Sequence, residues 1–317
     1  MVGAMSVSYF SQQLINGALV SAFYGLLASA YVLMHGVTRR INLAFGALAM
    51  WAGYIVIGLA LTLMMWMPGK DFAPVVAACL VAVGGTALAG SLIERATLRP
   101  LLRGGTLAML IATIGIAIVL EEMMRLMSGS REHWLMPLLN RSVRLGGSES
   151  FPVAVTGMQI IVFLIALALA VGLNALILLH PFGRRWRAAS EDLRMAELCG
   201  IDIGRLLTAT FLLASAAAGA AGSLFAVYYG SVSFYGGLII GLKTLFVAVI
   251  GGLNSVPGAF AGALLLGLFE TFWAGYVGGE WRDVAAFAAL ALLLAAFPEG
   301  MFARESSIDH RWRSLWR

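Results

Sequence analysis

Two places in this sequence combine residue type and position in a way that invites chemistry. Lys243 is one of only two lysines among 317 residues, and it sits in an apolar run several positions from any loop. A charge in such surroundings is costly unless it meets a partner or water. It therefore either borders a watery route for a solute, or snorkels to an interface or pairs structurally, for instance with Glu270. The second place is the stretch Gly183 to Ile201, the longest charged segment between two apolar runs. Ser190, Glu191 and Asp192 suit the start of a short helix, where acidic groups meet the positive end of the dipole. Gly200 suits the position just past its end, where φ is positive. Leu193, Ala196 and Leu198 give that helix a partly apolar side. Such a helix either docks into a groove on another protein or is an ordinary solvated connector.

Other chemistries lack their residues. There is no phosphate-binding loop, no His-Glu-x-x-His zinc motif and no Gly-x-Ser-x-Gly nucleophile elbow. His35, His133, His180 and His310 lie far apart, so no metal site is expected. No nucleophile has a base in evident reach, and no enzyme activity is expected. Cys79 and Cys199 lie in unlike settings, and no bridge between them is expected.

The elements that must hold these residues follow from composition. Apolar residues make up 61% of the chain and charged residues 12%, against about 45–50% and about 25% in soluble domains. A water-soluble fold of this size cannot cover its surface with so few polar groups. The fold class is therefore all-α: a polytopic transmembrane helical bundle in a lipid bilayer, one domain over residues 1–317. The net charge of +5 does not imply nucleic acid, because the arginines lie in short scattered loops rather than on one basic face.

A bilayer core of about 30 Å needs about 20 apolar residues per helix. Nine runs qualify or nearly so: Leu14 to Met34, Ile41 to Met67, Phe72 to Ile93, Thr106 to Met127, Val153 to Leu179, Leu206 to Tyr228, Leu238 to Gly252, Val256 to Val277 and Val284 to Phe297. The seventh and ninth are short. The second starts with Asn42 and Gly46, which either break that helix or, with Gly53, let its neighbours pack closely. Eight to ten crossings are expected, some of them broken or half-spanning. No charge precedes Arg39, so the first run lacks the basic start of a signal peptide and reads as a retained helix. Glu121 and Arg125, four apart near the end of one run, are spaced to pair.

Lys and Arg excess marks the cytoplasmic side. Arg39-Arg40, the Arg95/Arg99/Arg103 loop, the loop from Arg184 to Arg205 and the tail with Arg304, Arg311, Arg313 and Arg317 fall on one face when nine crossings alternate. The N-terminus is then expected outside and the tail, about 298–317, in the cytoplasm. There is also an internal echo. Phe23 to Ile55 and Leu224 to Gly252 share the order helix, linker, Gly-rich segment. Gly90 precedes Glu94 as Gly267 precedes Glu270, with offsets differing by a residue. An odd number of crossings between the copies would make this an inverted repeat.

In sum of motifs, the sequence resembles the bacterial ABC-importer permeases of the branched-chain amino-acid group. Arg187-Ala188, Glu191-Asp192, Ala196 and Gly200-Ile201 are similar to that group's ATPase-coupling loop, here about 183–205. Ile41 to Gly46, Glu94-Arg95 with Leu98 to Leu101, Ile111 to Gly115, Gly241-Leu242-Lys243, Gly251 to Ala259 and Pro298-Glu299-Gly300 resemble its other motifs in order. Phe45 stands where many members have His. The resemblance implies the smaller permease of a bacterial inner-membrane importer for branched-chain amino acids, or for urea, amides or small carboxylates. It implies as partners two ABC ATPase subunits, a second homologous permease and a periplasmic substrate-binding protein. ATP would be bound by the partners, with no cofactor in this chain. Asn42, Gly46 and Lys243 are then candidates for the translocation path. A secondary transporter is the rival reading, but it would leave the coupling loop without a role.

Overall fold

A computed structural model describes residues 2–297 and 301, except 68, 70–71, 103–104, 130–133, 137, 140, 149–150, 234 and 254. Arg103, His133, the Pro298 to Gly300 motif and the tail arginines lie outside the described residues. Each of the nine apolar runs carries a helix over most of its length. They form α1 (Val2–Thr38), α2 (Ala44–Trp66), α3 (Phe72–Ile93), α5 (Thr106–Met127), α6 (Gly157–Leu179), α9 (Ile203–Tyr229), α10 (Gly236–Gly251), α11 (Val256–Tyr276) and α12 (Arg282–Ala296). A π-turn (Glu94–Leu98) and a one-turn helix α4 (Arg99–Leu101) prolong α3, while α7 (Pro181–Glu191) and α8 (Leu193–Leu198) occupy the charged loop.

Seven of these helices are long and apolar enough to cross a bilayer. The other two are the short runs. α10 has 16 residues and α12 has 15, or about 24 and 22 Å at 1.5 Å per residue. Both fall short of the ~30 Å hydrocarbon core.

α1 and α9 are the most enclosed of the long helices. Small residues let their neighbours approach. Gly17 of α1 meets Leu268 and Thr271 of α11, and Gly267 of α11 meets the backbone of Ser21. On the other side of the bundle, Gly90 of α3 meets Ser215 of α9 and Gly219 of α9 meets Thr86. Packing through small residues replaces the hydrophobic drive that lipid removes.

Two features depart from expectation. α2 is continuous from Ala44, so Asn42 does not break it. Asn42 instead holds the corner before it: its Oδ1 accepts from Ala44 N at 3.0 Å, and its own N–H donates to Tyr31 Oη at 3.2 Å. Gly46 lies within the unbroken helix against the Gly237 carbonyl and the Gly241 backbone of α10, where any Cβ would collide. The other departure is a two-stranded antiparallel hairpin, β1 (Ser142–Ser148) and β2 (Phe151–Thr156), pairing Ser142 with Thr156 and bulged between Arg144 and Gly146. Its second strand takes the first four residues of the fifth apolar run. Val153 and Val155 are buried, the period-2 pattern of a strand. A capping box of Thr156 and Gln159 then starts α6.

Candidate functional site

The arginine loops gather at one end of the bundle. Arg39 Nη2 donates to the carbonyls of Ser190 (2.5 Å) and Glu191 (2.6 Å), and Arg99 Nη2 donates to Gly204 O (2.6 Å). Arg40 bonds the Thr106 hydroxyl. α9 starts at this end and carries the chain to Tyr229 at the other.

The charged loop is two helices set at an angle. Pro181 opens α7 at a position that needs no N–H donor. Trp186 is buried; its Nε1 donates to Leu33 O at 2.8 Å, and its ring lies on Gly36. Arg187 bonds the Ile177 carbonyl at the end of α6. Arg39 supplies a cation and donors to the last carbonyls of α7, which would otherwise be orphaned. Arg39 itself has φ +49°, uncommon for a residue with a side chain.

Asp192 breaks the two helices apart and caps α8, accepting from Arg194 N (2.8 Å) and Met195 N (3.0 Å). Those backbone donors, Met195 first and Arg194 next, hold its carboxyl below the usual range. The expected helix start is thus right at Asp192, but Ser190 and Glu191 end α7 instead. Gly200 has φ +83°. Its N–H donates to Glu197 O and that of Ile201 to Ala196 O, the Schellman closure of a helix end.

The apolar side expected for docking is divided. Leu193 and the buried Ala196 pack with Ala189 and Leu206 of this same chain. Met195 and Leu198 face outward at 61% and 77% exposure, and Arg184, Arg185, Ala188 and Glu191 of α7 are exposed as well. Ala196 is therefore a seat for α8 rather than a surface for a partner.

Lys243 lies at the far side of the bundle, almost wholly buried. Its Nζ is 2.5 Å from Glu270 Oε1 and 2.8 Å from Asp283 Oδ1. Tyr24 of α1 donates to Glu270 Oε2 at 3.1 Å, and Arg282 Nε reaches Asp283 Oδ1 at 3.4 Å. The expected Lys243–Glu270 pair is present, and the group also borders open space. A cavity of about 420 Å³ is lined by Lys243, Glu270, Arg282 and Asp283, by Tyr24 and Tyr229, and by apolar side chains of α1, α2, α9 and α10. Lys243 is thus both ion-paired and at the edge of a cavity. Asn42 and Gly46 do not line this cavity. Ala49 and Met50 of α2 do, and Gly46 lies one turn below them, toward the arginine end.

Sequence reading missed Tyr24, Arg282 and Asp283. Adjacent opposite charges opening a short apolar run were the available signal for the last two. Glu121, expected beside Arg125, instead reaches α10 and accepts from Leu238 N at 3.2 Å, while Arg125 pairs with Glu122. Among the described residues no cluster of His, Cys, Asp and Glu could hold a metal.

The fold and this site define a multi-pass membrane protein built around a solute-sized cavity. The family model described as "Branched-chain amino acid transport system / permease component" matches residues 13–296. The chain is 35% identical to the high-affinity branched-chain amino acid transport system permease protein LivH of Escherichia coli K12, over 93% of this chain and 96% of that one. It is 36% identical to the permease protein BraD of Pseudomonas aeruginosa, over 94% and 97%. A probable LivH of Methanocaldococcus jannaschii is 26% identical over 96% and 95%. No solved structure matches. The chain belongs to this family of transport-system permease components.

Proposed function

We propose that the chain is the membrane-spanning permease subunit of an ATP-driven importer that carries branched-chain amino acids across the bacterial inner membrane. Its partners in this reading are two ATPase subunits, a second homologous permease and an external substrate-binding protein. The arginine-bearing end faces the cytoplasm, and the tail lies on that side. The observation that carries the reading is the α7–α8 element. Its outer surface is exposed apolar and basic, while its inner surface is bonded to α1 through Trp186, to the end of α1 through Arg39 and to α6 through Arg187, and packs on Leu206 of α9. A push on such an element reaches α1, α6 and α9 without slack. The cavity opens away from the arginine end and is closed below by the contact of Gly46 with α10, as an outward-facing state requires. ATP would then have to favour a state in which that contact opens. The matching contacts of α3 with α9 and of α11 with α1 support an inverted repeat.

Leu198→Asp tests this directly. Leu198 makes no core contact, so the permease should insert normally. ATPase co-purification and ATP-driven leucine uptake should both fall severalfold. Gly200→Val, which resists φ > 0, should do the same by tilting α8. Full uptake with a normal ATPase complement in both variants would reduce the element to a connector and remove the main support for the reading.

A further inference from the structure

We propose that the 420 Å³ cavity is a recognition site, complete within one chain, for the zwitterion of an α-amino acid with an apolar side chain. The inference rests on the proposed transport of branched-chain amino acids and adds where and by which groups the solute is read.

The charges at the cavity balance: Lys243 and Arg282 against Glu270 and Asp283. A solute carrying one charge would leave an excess in a poorly solvated space. A solute carrying both signs, net neutral, would not. The four groups are unequally engaged. Lys243 is held by two carboxylates, which leaves it little to offer a ligand. Its role is to position Glu270 and Asp283. Arg282 engages Asp283 through Nε alone, at 3.4 Å, and is half-exposed. A guanidinium has five donors in a planar fork suited to a carboxylate. The start of α12 opens beside it, at Arg282, and has no side-chain cap, whereas the first turn of α10 already donates to Glu121 through Leu238 N. The dipole of α12 favours an anion at the same place.

The cation subsite is opposite. Both contacts of Asp283 use Oδ1, so Oδ2 is available to an ammonium. Glu270 Oε1 lies close to Lys243 but accepts no aligned hydrogen bond, so it has acceptor capacity left. Val20, Leu27, Met50, Phe225 and Ile240 form an apolar wall for the side chain. The volume falls in the range of small-molecule sites, about 300–1,000 Å³. A second cavity of about 340 Å³ shares Val20, Tyr229, Glu270 and Arg282 and extends along α1 past Asn16, Gln13 and Tyr9. It supplies a polar approach from the end opposite the arginine loops.

The test is equilibrium binding of labelled L-leucine to the assembled transporter in lipid nanodiscs, without ATP or the external binding protein. L-leucine should bind, and leucinamide and 4-methylpentanoate, which each lack one charge, should compete about tenfold less well or worse. Arg282→Gln should abolish the preference for leucine over leucinamide, and Asp283→Asn the preference over 4-methylpentanoate. Retained ATPase co-purification shows that each variant is assembled. Absence of leucine binding, equal competition by both analogues, or unchanged preferences in both variants would overturn the proposal. Failure of the permease reading looks different: no ATPase co-purifies with the wild-type chain, or ATP drives no uptake, while the binding arm is still read on the chain.

Discussion

Two glutamates on opposite sides of the bundle have parallel settings and unlike surroundings. Glu270 belongs to α11 and lies where that helix packs on α1. One turn before it, Gly267 meets Ser21 of α1, and its carboxylate accepts from Tyr24 of α1. Glu94 lies at the end of α3, where that helix packs on α9. One turn before it, Gly90 meets Ser215 of α9, and its carboxylate accepts from Thr208 of α9 at 3.1 Å. Each glutamate is almost fully buried and meets one cation, Lys243 or Arg99. The frames match; the roles diverge at the cation. Arg99 opens α4 directly after the π-turn that Glu94 starts and spends its other donors on Gly204 O and Thr208, closing the site upon itself. Lys243 comes from a separate helix, draws in a second acid from α12, and leaves Arg282 half free at a cavity. One frame is a closed clamp, and the other opens on a cavity. Burial of a charged residue alone would not distinguish them. The unspent donors and acceptors do.

Breaking the cation at each site should have the largest effect, and it should differ between them. Lys243→Met leaves the buried Glu270 without its ion-pair partner, with only the half-exposed Arg282 on Asp283 nearby, a change of about 3–5 kcal/mol for a buried pair broken on one side. The variant should fall sharply in membrane level by immunoblot. Adding Glu270→Gln should restore the level but not leucine uptake. Recovery of uptake in the double variant would make Lys243 purely structural and erase the contrast with Arg99.

The glycines give the next effect. An alanine Cβ at Gly267 would collide with the backbone N and Cα of Ser21, at 2.6 and 2.7 Å, whereas at Gly90 it would meet only the side chain of Ser215. Backbone cannot step aside. Gly267→Ala should cost about 1–3 kcal/mol and lower transporter yield more than Gly90→Ala does. Ser215→Gly should rescue Gly90→Ala, while Ser21→Gly should not rescue Gly267→Ala. Equal losses with equal rescue would show that the two contacts are of one kind.

Much of this frame was legible in the sequence, and the reasons are physical. Apolar runs are continuous where lipid or protein surrounds a helix, so α3 and α5 were bounded to the residue. Gly200 could be read because a helix end with positive φ requires little beyond its own backbone. Ala196 could not, because whether a small residue faces a partner or its own α9 depends on how the loop folds back. The same limit hid Trp186, a lone aromatic among arginines whose partner, Leu33 O, is 153 positions away. Asn42 was misread for a related reason: a polar residue near a helix start breaks or caps according to where the chain turns. The hairpin was lost because four alternating residues, Val153 to Thr156, adjoin an apolar run and share its composition. Glu94 and Glu270 were visible as an echo in spacing, but only the structure shows that one is sealed and the other open.

The smallest effect expected is at the two hydroxyls that reach these carboxylates. Thr208→Val keeps shape and removes one donor to Glu94 and one acceptor for Arg99. Arg99 still pairs with Glu94 Oε1 at 2.8 Å and still reaches Gly204 O, so the clamp keeps its charge pair. The loss should be near the ~0.5–1.5 kcal/mol of a typical hydrogen bond, seen as a slight fall in thermal stability with leucine uptake unchanged in KM. Tyr24→Phe also removes one donor, from Glu270. Lys243 stays beside the carboxylate at 2.5 Å, so stability should change about as little. But Tyr24 lines the cavity, and the freed Glu270 Oε2 can turn toward the solute or away from its place beside Lys243. Uptake KM should therefore shift severalfold while membrane level stays normal. A KM shift in Thr208→Val, or none in Tyr24→Phe, would mean that the two glutamates do not differ in function as their surroundings do.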